Sequence, residues 1–286
     1  MRKPQPREVL VTGATGHVGR HVVDGLLAAG VGVRAVTRDP SWTALPDAAG
    51  IVQADLSVPG SLEPHLDGVD AAFLAWPFTT AGGAAEVVAA LARHVRRIVY
   101  LSSMGGHQRE PAGAVAFHAE VEHLIEASGA AWTFLRPSGF ATNALLWAPQ
   151  IQAGDVVRWP FASAARSLID ERDIAQVAVR ALTSDGHASR RLHLTGPGTL
   201  TQDAQVRAIG DALGRPLRFE EIPPQDAREE LLAAWGDPAF VDGALTAWAR
   251  FVAEPEPITS TVELVTGTRA RRFRDWAVDH ADEFAA

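Results

Sequence analysis

The segment Val9-Leu10-Val11-Thr12-Gly13-Ala14-Thr15-Gly16-His17-Val18-Gly19 constrains this chain more than any other. Its first three residues read as a buried strand. After the glycines, Val18, Val22 and Leu26 recur at the spacing of one helix face, with Val23 and Leu27 beside them. At such a junction Gly13 permits a tight turn in backbone regions that other residues resist. Gly16 removes a Cβ from the path of anything approaching the loop, and Gly19 lets the helix close onto the strand. The N–H groups of the first helical turn and the positive end of the helix dipole then suit a diphosphate. The spacing is Gly-x-x-Gly-x-x-Gly rather than Gly-x-Gly-x-x-Gly. The strand before the loop and the helix after it are what raise it above a plain glycine turn to a dinucleotide cradle.

The rest of the first half keeps the same rhythm. Val33–Thr37, Ile51-Val52, Ala71–Ala75, Ile98–Leu101 and Trp132–Leu135 read as further strands. Helical patterns cover Ala84–His94 and Ala114–Ser128, the latter stopped by Gly129. Strands alternating with helices imply parallel βαβ units and an α/β, Rossmann-type doubly wound sheet. After about Gln150 the rhythm changes. Asp173 is expected to cap a helix over Ile174–Thr183, Arg191–Leu194 reads as a strand, and Thr201 as the cap of a helix ending near Gly214. Leu217–Ile222 is strand-like, and helical patterns follow near Ala227–Trp235, Phe240–Val252 and Ala270–Phe284, with Glu254–Pro257 as a linker or turn. The expected division is 1–152 for the NAD(P)-binding domain and 153–286 for a smaller, mostly helical cap that binds substrate, with some elements returning to the sheet.

Composition narrows the function. The 286 residues include no cysteine, so disulfides, thiolate nucleophiles and cysteine metal sites are excluded. A formal net charge of −8 argues against nucleic-acid binding through the overall field. The basic run Arg269, Arg271, Arg272 and Arg274, interleaved with Phe273 and Trp276, reads as the solvated side of an amphipathic helix. No apolar run approaches the roughly 20 residues of a membrane helix. Met1-Arg2-Lys3-Pro4 leads into a proline-rich stretch without an apolar targeting region, so the expectation is a cytoplasmic location. His118 and Glu122 share a helical face but have no third ligand, so no metal is expected. The tryptophans near Trp235 and Trp248 are expected to cover substrate or to form a homodimer surface.

The end of the second strand selects the cofactor. An acidic residue there would accept bonds from the ribose of NAD(H), but the chain has Val36-Thr37-Arg38. The Arg38 guanidinium suits a 2′-phosphate, so NADP(H) is expected over NAD(H). Asp55-Leu56, after the third strand, would bracket the adenine, although Asp55 can equally cap a turn.

The segments Val11–Arg20, Ile98–Ser103, His118–Glu122, Ser128–Pro137, Phe140, Asn143, Asp170–Ala175 and Leu194–Pro197 together resemble the NmrA-like branch of atypical short-chain dehydrogenases/reductases. That branch includes quinone-reductase-like and triphenylmethane-reductase-like proteins. The resemblance runs over nearly the whole chain. It implies that the cradle residues Gly13, Thr15, Gly16, His17, Val18 and Gly19 hold the cofactor. It also implies that Ala75, Trp76 and Pro77 line the cofactor, that Ser102, Ser103 and Met104 approach the nicotinamide, and that Pro137–Phe140 close over the nicotinamide or the substrate.

The chain departs from the wider superfamily at the Tyr-x-x-x-Lys pair. Ala114 stands at the tyrosine place and His118 at the lysine place, and the sole tyrosine, Tyr100, cannot substitute by spacing. Two readings stay open. In the first the protein is an NADPH-dependent reductase of a small, hydrophobic, conjugated carbonyl or quinone-like substrate. His118 and Ser102 are then its candidate catalytic residues, with His118 binding the nicotinamide ribose or relaying a proton and Glu122 orienting it. In the second it is a non-catalytic NADP(H)-sensing regulator. Phe140, Leu145, Leu146, Trp147, Trp159 and Phe161 would shape an apolar pocket for a flat ligand, which favours the reductase.

Overall fold

The computed structural model describes residues 7–41, 44–104 and 116–285. Ala114 and Met1–Pro4 lie outside the described residues. The first half runs β1 (Glu8–Val11), α1 (His17–Ala28), β2 (Gly32–Thr37), β3 (Gly50–Gln53), β4 (Ala71–Leu74), α2 (Ala84–His94), β5 (Arg97–Leu101), α3 (Phe117–Ala127) and β6 (Ala131–Pro137). The second half continues with α4 (Ala148–Ala153), β7 (Val156–Trp159), β8 (Ala165–Arg166), α5 (Glu171–Thr183), β9 (Arg190–Leu194), β10 (Leu200–Thr201) and α6 (Gln202–Leu213). It ends with β11 (Arg218–Glu221), α7 (Pro224–Trp235), α8 (Pro238–Ala253), α9 (Thr261–Thr266), α10 (Phe273–Asp279) and α11 (Ala281–Phe284).

Seven strands form one sheet in the order β3-β2-β1-β4-β5-β6-β9, every neighbouring pair parallel. Alternation along each strand divides the core between two helical layers. Val9 and Val11 of β1, Phe73 of β4 and Val99 of β5 face α1 and α5, where Val22, Leu26, Ile174 and Val177 are buried. Leu10, Ala72, Leu74, Ile98 and Tyr100 face the other way, onto Val87 and Leu91 of α2 and Val121 and Ile125 of α3. Both faces are thus covered, which is why these strands read as continuous apolar runs. The chain winds outward from β1 to β3 in one direction and from β4 to β6 in the other. Its order therefore reverses between β1 and β4, and the crevice beyond their carboxyl ends is the place where an open α/β sheet binds ligands.

The last sheet strand, β9, comes from the second half of the chain, as do α5 and α9, which pack with α1 and β9. The rest of that half forms the cap. Its core gathers Trp147, Trp159, Trp248, Phe251, Phe273 and Trp276. Two short ladders, β7 with β11 and β8 with β10, join its helices.

Several expectations are corrected in this half. The cap of α5 is Asp170, which accepts from the Arg172 N–H at 2.8 Å, and Asp173 lies inside the first turn, accepting from the Arg271 N–H. The single helix expected over Ala270–Phe284 is two, broken at His280. Glu254–Pro257 is more than a linker, because Glu256 is buried and binds the Ser167 N–H at 3.0 Å. Of the basic run, Arg269, Arg271 and Arg272 precede α10 rather than riding on its face, and they pair with Glu263, Asp170 and Asp275 respectively. Thr201 does cap α6, accepting from the Ala204 N–H, and Gly214 ends that helix in the left-handed region at φ +67°. Among the described residues no helix is long and apolar enough to cross a membrane.

Candidate active site

The glycine cradle sits at the sheet's switch point. Gly13 has φ +61°, which favours glycine, and the Gly16 N–H closes the turn onto the Gly13 carbonyl at 3.0 Å. A Cβ on Gly19 would stand 2.0 Å from that same carbonyl oxygen, so only glycine lets α1 seat against the loop. Thr12 Oγ1 accepts the Ala75 N–H at 2.8 Å and fastens the end of β1 to the end of β4. The start of α1 at Gly16 carries no side-chain cap, so the first-turn N–H groups are left for an anion. Gly13, Thr15, Gly16 and His17 are exposed, whereas Val18 and Gly19 are buried and act by holding the helix in place. The cradle thus fits a pyrophosphate on three counts: the left-handed turn, the missing Cβ atoms and the uncapped helix.

At the end of β2, Arg38 is exposed and its side chain has no ion-pair partner among the described residues. Its carbonyl, by contrast, accepts from the Gln53 side chain at 3.0 Å and so fixes the backbone there. Asp55 accepts from the Ser57 N–H at 2.9 Å, the turn-capping alternative. That bond, with a smaller contribution from Arg38, holds its carboxyl below the usual range. The Leu56 side chain is buried in the core.

Beyond the carboxyl ends of β4, β5 and β6 lies a cavity of about 1040 Å³. His17, Ala75, Trp76, Ser102, His118, Pro137 and Phe140 all line it, so the structure brings seven of the residues expected at the site to one space. Pro77 is exposed and lies outside the lining. The opposite wall belongs to the cap and carries Leu145, Leu146, Trp147, Trp159, Trp235, Phe240 and Trp248. Trp159 and Trp248 meet with ring centroids 5.4 Å apart, and Trp147 stands edge-on to Trp159 at 6.2 Å. Phe161 was expected in this wall but is absent from the lining. It turns the chain at φ +59°, and its carbonyl accepts from Gln202.

Two polar clusters underlie the lining. Ser102 donates to Glu122 Oε1 at 2.6 Å, and Arg136 donates to both oxygens of the same carboxylate, from Nε at 3.0 Å and from Nη2 at 2.5 Å. Glu122 is 3% exposed and Arg136 9%, so this is a buried charge pair with its hydrogen bonds made. The Ser102 proton is directed into it, away from the cavity. The second cluster is Tyr100 with His118. The Tyr100 hydroxyl lies 2.7 Å from His118 Nδ1, and burial, aided by Glu122, raises the phenol well above its usual range. His118 thus has a structural partner on β5, whereas Glu122, the neighbour one turn along its own helix, accepts from Ser102 and Arg136 on its two oxygens. Sequence reasoning also missed Arg166 and Glu256, which pair at 3.4 Å across the cap end of the cavity. Their separation in the chain gives no local signal.

Fold and cradle define the class: an α/β protein built to hold a pyridine dinucleotide. The chain belongs to the NAD(P)H-binding family whose pattern matches residues 13–185. It is 38% identical over 280 residues to a (4-alkanoyl-5-oxo-2,5-dihydrofuran-3-yl)methyl phosphate reductase of Streptomyces griseus, spanning 97% of this chain and 99% of the relative. It is 32% identical over 286 residues to an NAD(P)H azoreductase of Xenophilus azovorans, spanning 97% of this chain and 99% of the relative. Its fold matches the NADPH complex of an Escherichia coli quinone oxidoreductase with a TM-score of 0.80 at 21% identity, covering 95% of this chain and 99% of the other. The family is one that binds NAD(P)H, the two relatives are named reductases, and the likeness to the quinone oxidoreductase is one of fold.

Proposed function

We propose that the protein is an NADPH-dependent reductase of a small, hydrophobic, conjugated carbonyl or quinone-like compound. The observation that carries this reading is the shared cavity. One space joins the first residue of α1 and the ends of β4, β5 and β6 to a wall of tryptophans, as a reductase needs if cofactor and flat acceptor are to meet. Bound there, NADPH supplies the hydride, which is the cofactor's own chemistry.

The chain's residues do the rest. The cradle from Gly13 to Gly19 holds the pyrophosphate, and Arg38 pairs with the 2′-phosphate. Asp55 and Leu56 bracket the adenine through the turn they form. Ala75, Trp76 and Pro77 line the dinucleotide, while Ser102, Pro137 and Phe140 bound the nicotinamide pocket. Trp147, Trp159 and Trp248 exclude water and stack on a planar acceptor. His118 offers an imidazole to the acceptor oxygen or to the nicotinamide ribose. A conjugated acceptor spreads the negative charge it receives, which fits a site without the Tyr-x-x-x-Lys pair. The Streptomyces relative is named for a phosphorylated substrate, and Arg166 and Arg250 line this cavity, so phosphorylated enones belong among the substrates to be tried.

The test is NADPH oxidation followed at its absorbance with a panel of quinones, enones, azo dyes and a phosphorylated butenolide. Turnover on one class supports the reading. Tight NADPH binding without turnover on any acceptor would instead favour an NADP(H)-sensing regulator.

A further inference from the structure

Tyr100 is the chain's sole tyrosine, fully buried on β5, and its hydroxyl meets one partner among the described residues, His118 Nδ1 at 2.7 Å. The phenol keeps its proton, because burial and the Glu122 carboxylate both oppose its loss. That proton needs an acceptor, since a buried hydroxyl hydrogen left without one is costly. The acceptor at hand is the Nδ1 lone pair. An imidazole that accepts at Nδ1 carries its hydrogen on Nε2, at the far side of the ring from Tyr100. Protonating Nδ1 as well would strand the hydroxyl hydrogen.

Resting on the reading of His118 given above, we infer that Tyr100 is a positioning residue: it holds His118 as a neutral imidazole with its N–H on Nε2, so that His118 serves the acceptor oxygen as a hydrogen-bond donor and keeps its own proton. A neutral imidazole is a poor proton-transfer acid but an effective donor to developing negative charge in a water-poor site. The surroundings agree with that role. His118 packs against Phe117 with ring centroids 4.1 Å apart and against the Tyr100 ring at 5.8 Å, which fixes the plane of the imidazole. Behind it, Glu122 and Arg136 pair with each other, and Glu122 also accepts from Ser102. The proton that completes the product then comes from solvent, and the imidazole is unchanged at the end of the cycle.

Nitrogen NMR of the full-length protein labelled in its histidine rings tests the tautomer directly, with His118→Ala used to assign the signal. The expected spectrum has an unprotonated, hydrogen-bonded Nδ1 and a protonated Nε2, and in Tyr100→Phe the Nδ1 signal moves toward that of a lone pair without a donor. A protonated Nδ1 in the wild type, or no shift in Tyr100→Phe, overturns the inference. Kinetics test the donor role. His118→Ala should lower kcat about 100-fold, the usual cost of one donor to an oxyanion. His118→Gln, whose amide also presents an N–H, should stay within about tenfold of wild type, with the NADPH KM little changed in either variant. Equal loss in both variants overturns the donor role. Full turnover in His118→Ala overturns the placement of His118 at the acceptor, while the spectrum still decides the tautomer.

Discussion

Gly19 lies so close beneath Gly13 that a Cβ on it would stand 2.0 Å from the Gly13 carbonyl oxygen. The contact joins fold to function, because the carbonyl that blocks a side chain at Gly19 also closes the turn that presents the first amides of α1. Gly19→Ala should force the helix off the loop. The expected destabilisation is about 1–3 kcal/mol, as for overpacking in a tight core, and NADPH affinity should fall at least tenfold because the cradle is displaced. Thermal melts with and without NADPH check both.

Arg38 is exposed at the end of β2, where a 2′-phosphate would lie. Arg38→Ala should weaken NADPH binding about tenfold, a typical cost for one charge-assisted phosphate contact, and leave NADH binding unchanged. Parallel titrations with the two nucleotides measure it. Equal losses for both would assign the selectivity elsewhere.

Glu122 and Arg136 form a buried pair with Ser102 attached. Glu122→Gln preserves the shape but leaves the Arg136 charge uncompensated, which should cost about 3–5 kcal/mol. Urea denaturation at neutral pH reads this. The matched replacement of both partners by apolar residues of similar volume should recover much of the loss.

Asp173 has its carboxyl pushed up from the ordinary 3.8 to about 6, chiefly by burial, against the opposing bond from the Arg271 N–H. The folded protein therefore holds this proton more tightly than the unfolded chain does. Its contribution to stability is fully present below about pH 4 and is lost as the pH rises through 6. Asp173→Asn should be more stable than wild type above that window, by on the order of 3 kcal/mol, and the difference should vanish below about pH 4. Denaturation curves at several pH values decide it.

Trp248 sits on the cap wall of the cavity, where its ring meets Trp159 and Trp235. Trp248→Ala should raise KM for aromatic acceptors by about tenfold, consistent with about 1.4 kcal/mol of lost apolar contact, and leave NADPH affinity intact. A change in both would mean that the cap also orders the cofactor site.

The parallel sheet and its binding edge were legible because their causes are local. Val9-Leu10-Val11 is apolar on both faces, the repeat of Val18, Val22 and Leu26 fixes a helix face, and the glycines between them have few other uses. The second half was less legible. Asp173 reads as the cap of α5, whereas the path of the chain before the helix gives that place to Asp170. Glu256 looks like a solvated turn residue until Arg166 and the Ser167 amide close on it.

The sequence by itself determined the wound sheet and the glycine turn that opens α1, since each is written within a few consecutive residues. Tertiary structure alone decided what His118 is bonded to. Tyr100 lies eighteen positions away and has the wrong spacing for the familiar pair, yet α3 packs over the sheet face that carries Tyr100, and that packing brings hydroxyl and imidazole together. The same holds for the tryptophan wall, whose members Trp147, Trp159 and Trp248 lie just ahead of α4, on β7 and on α8 and come together only in the folded protein.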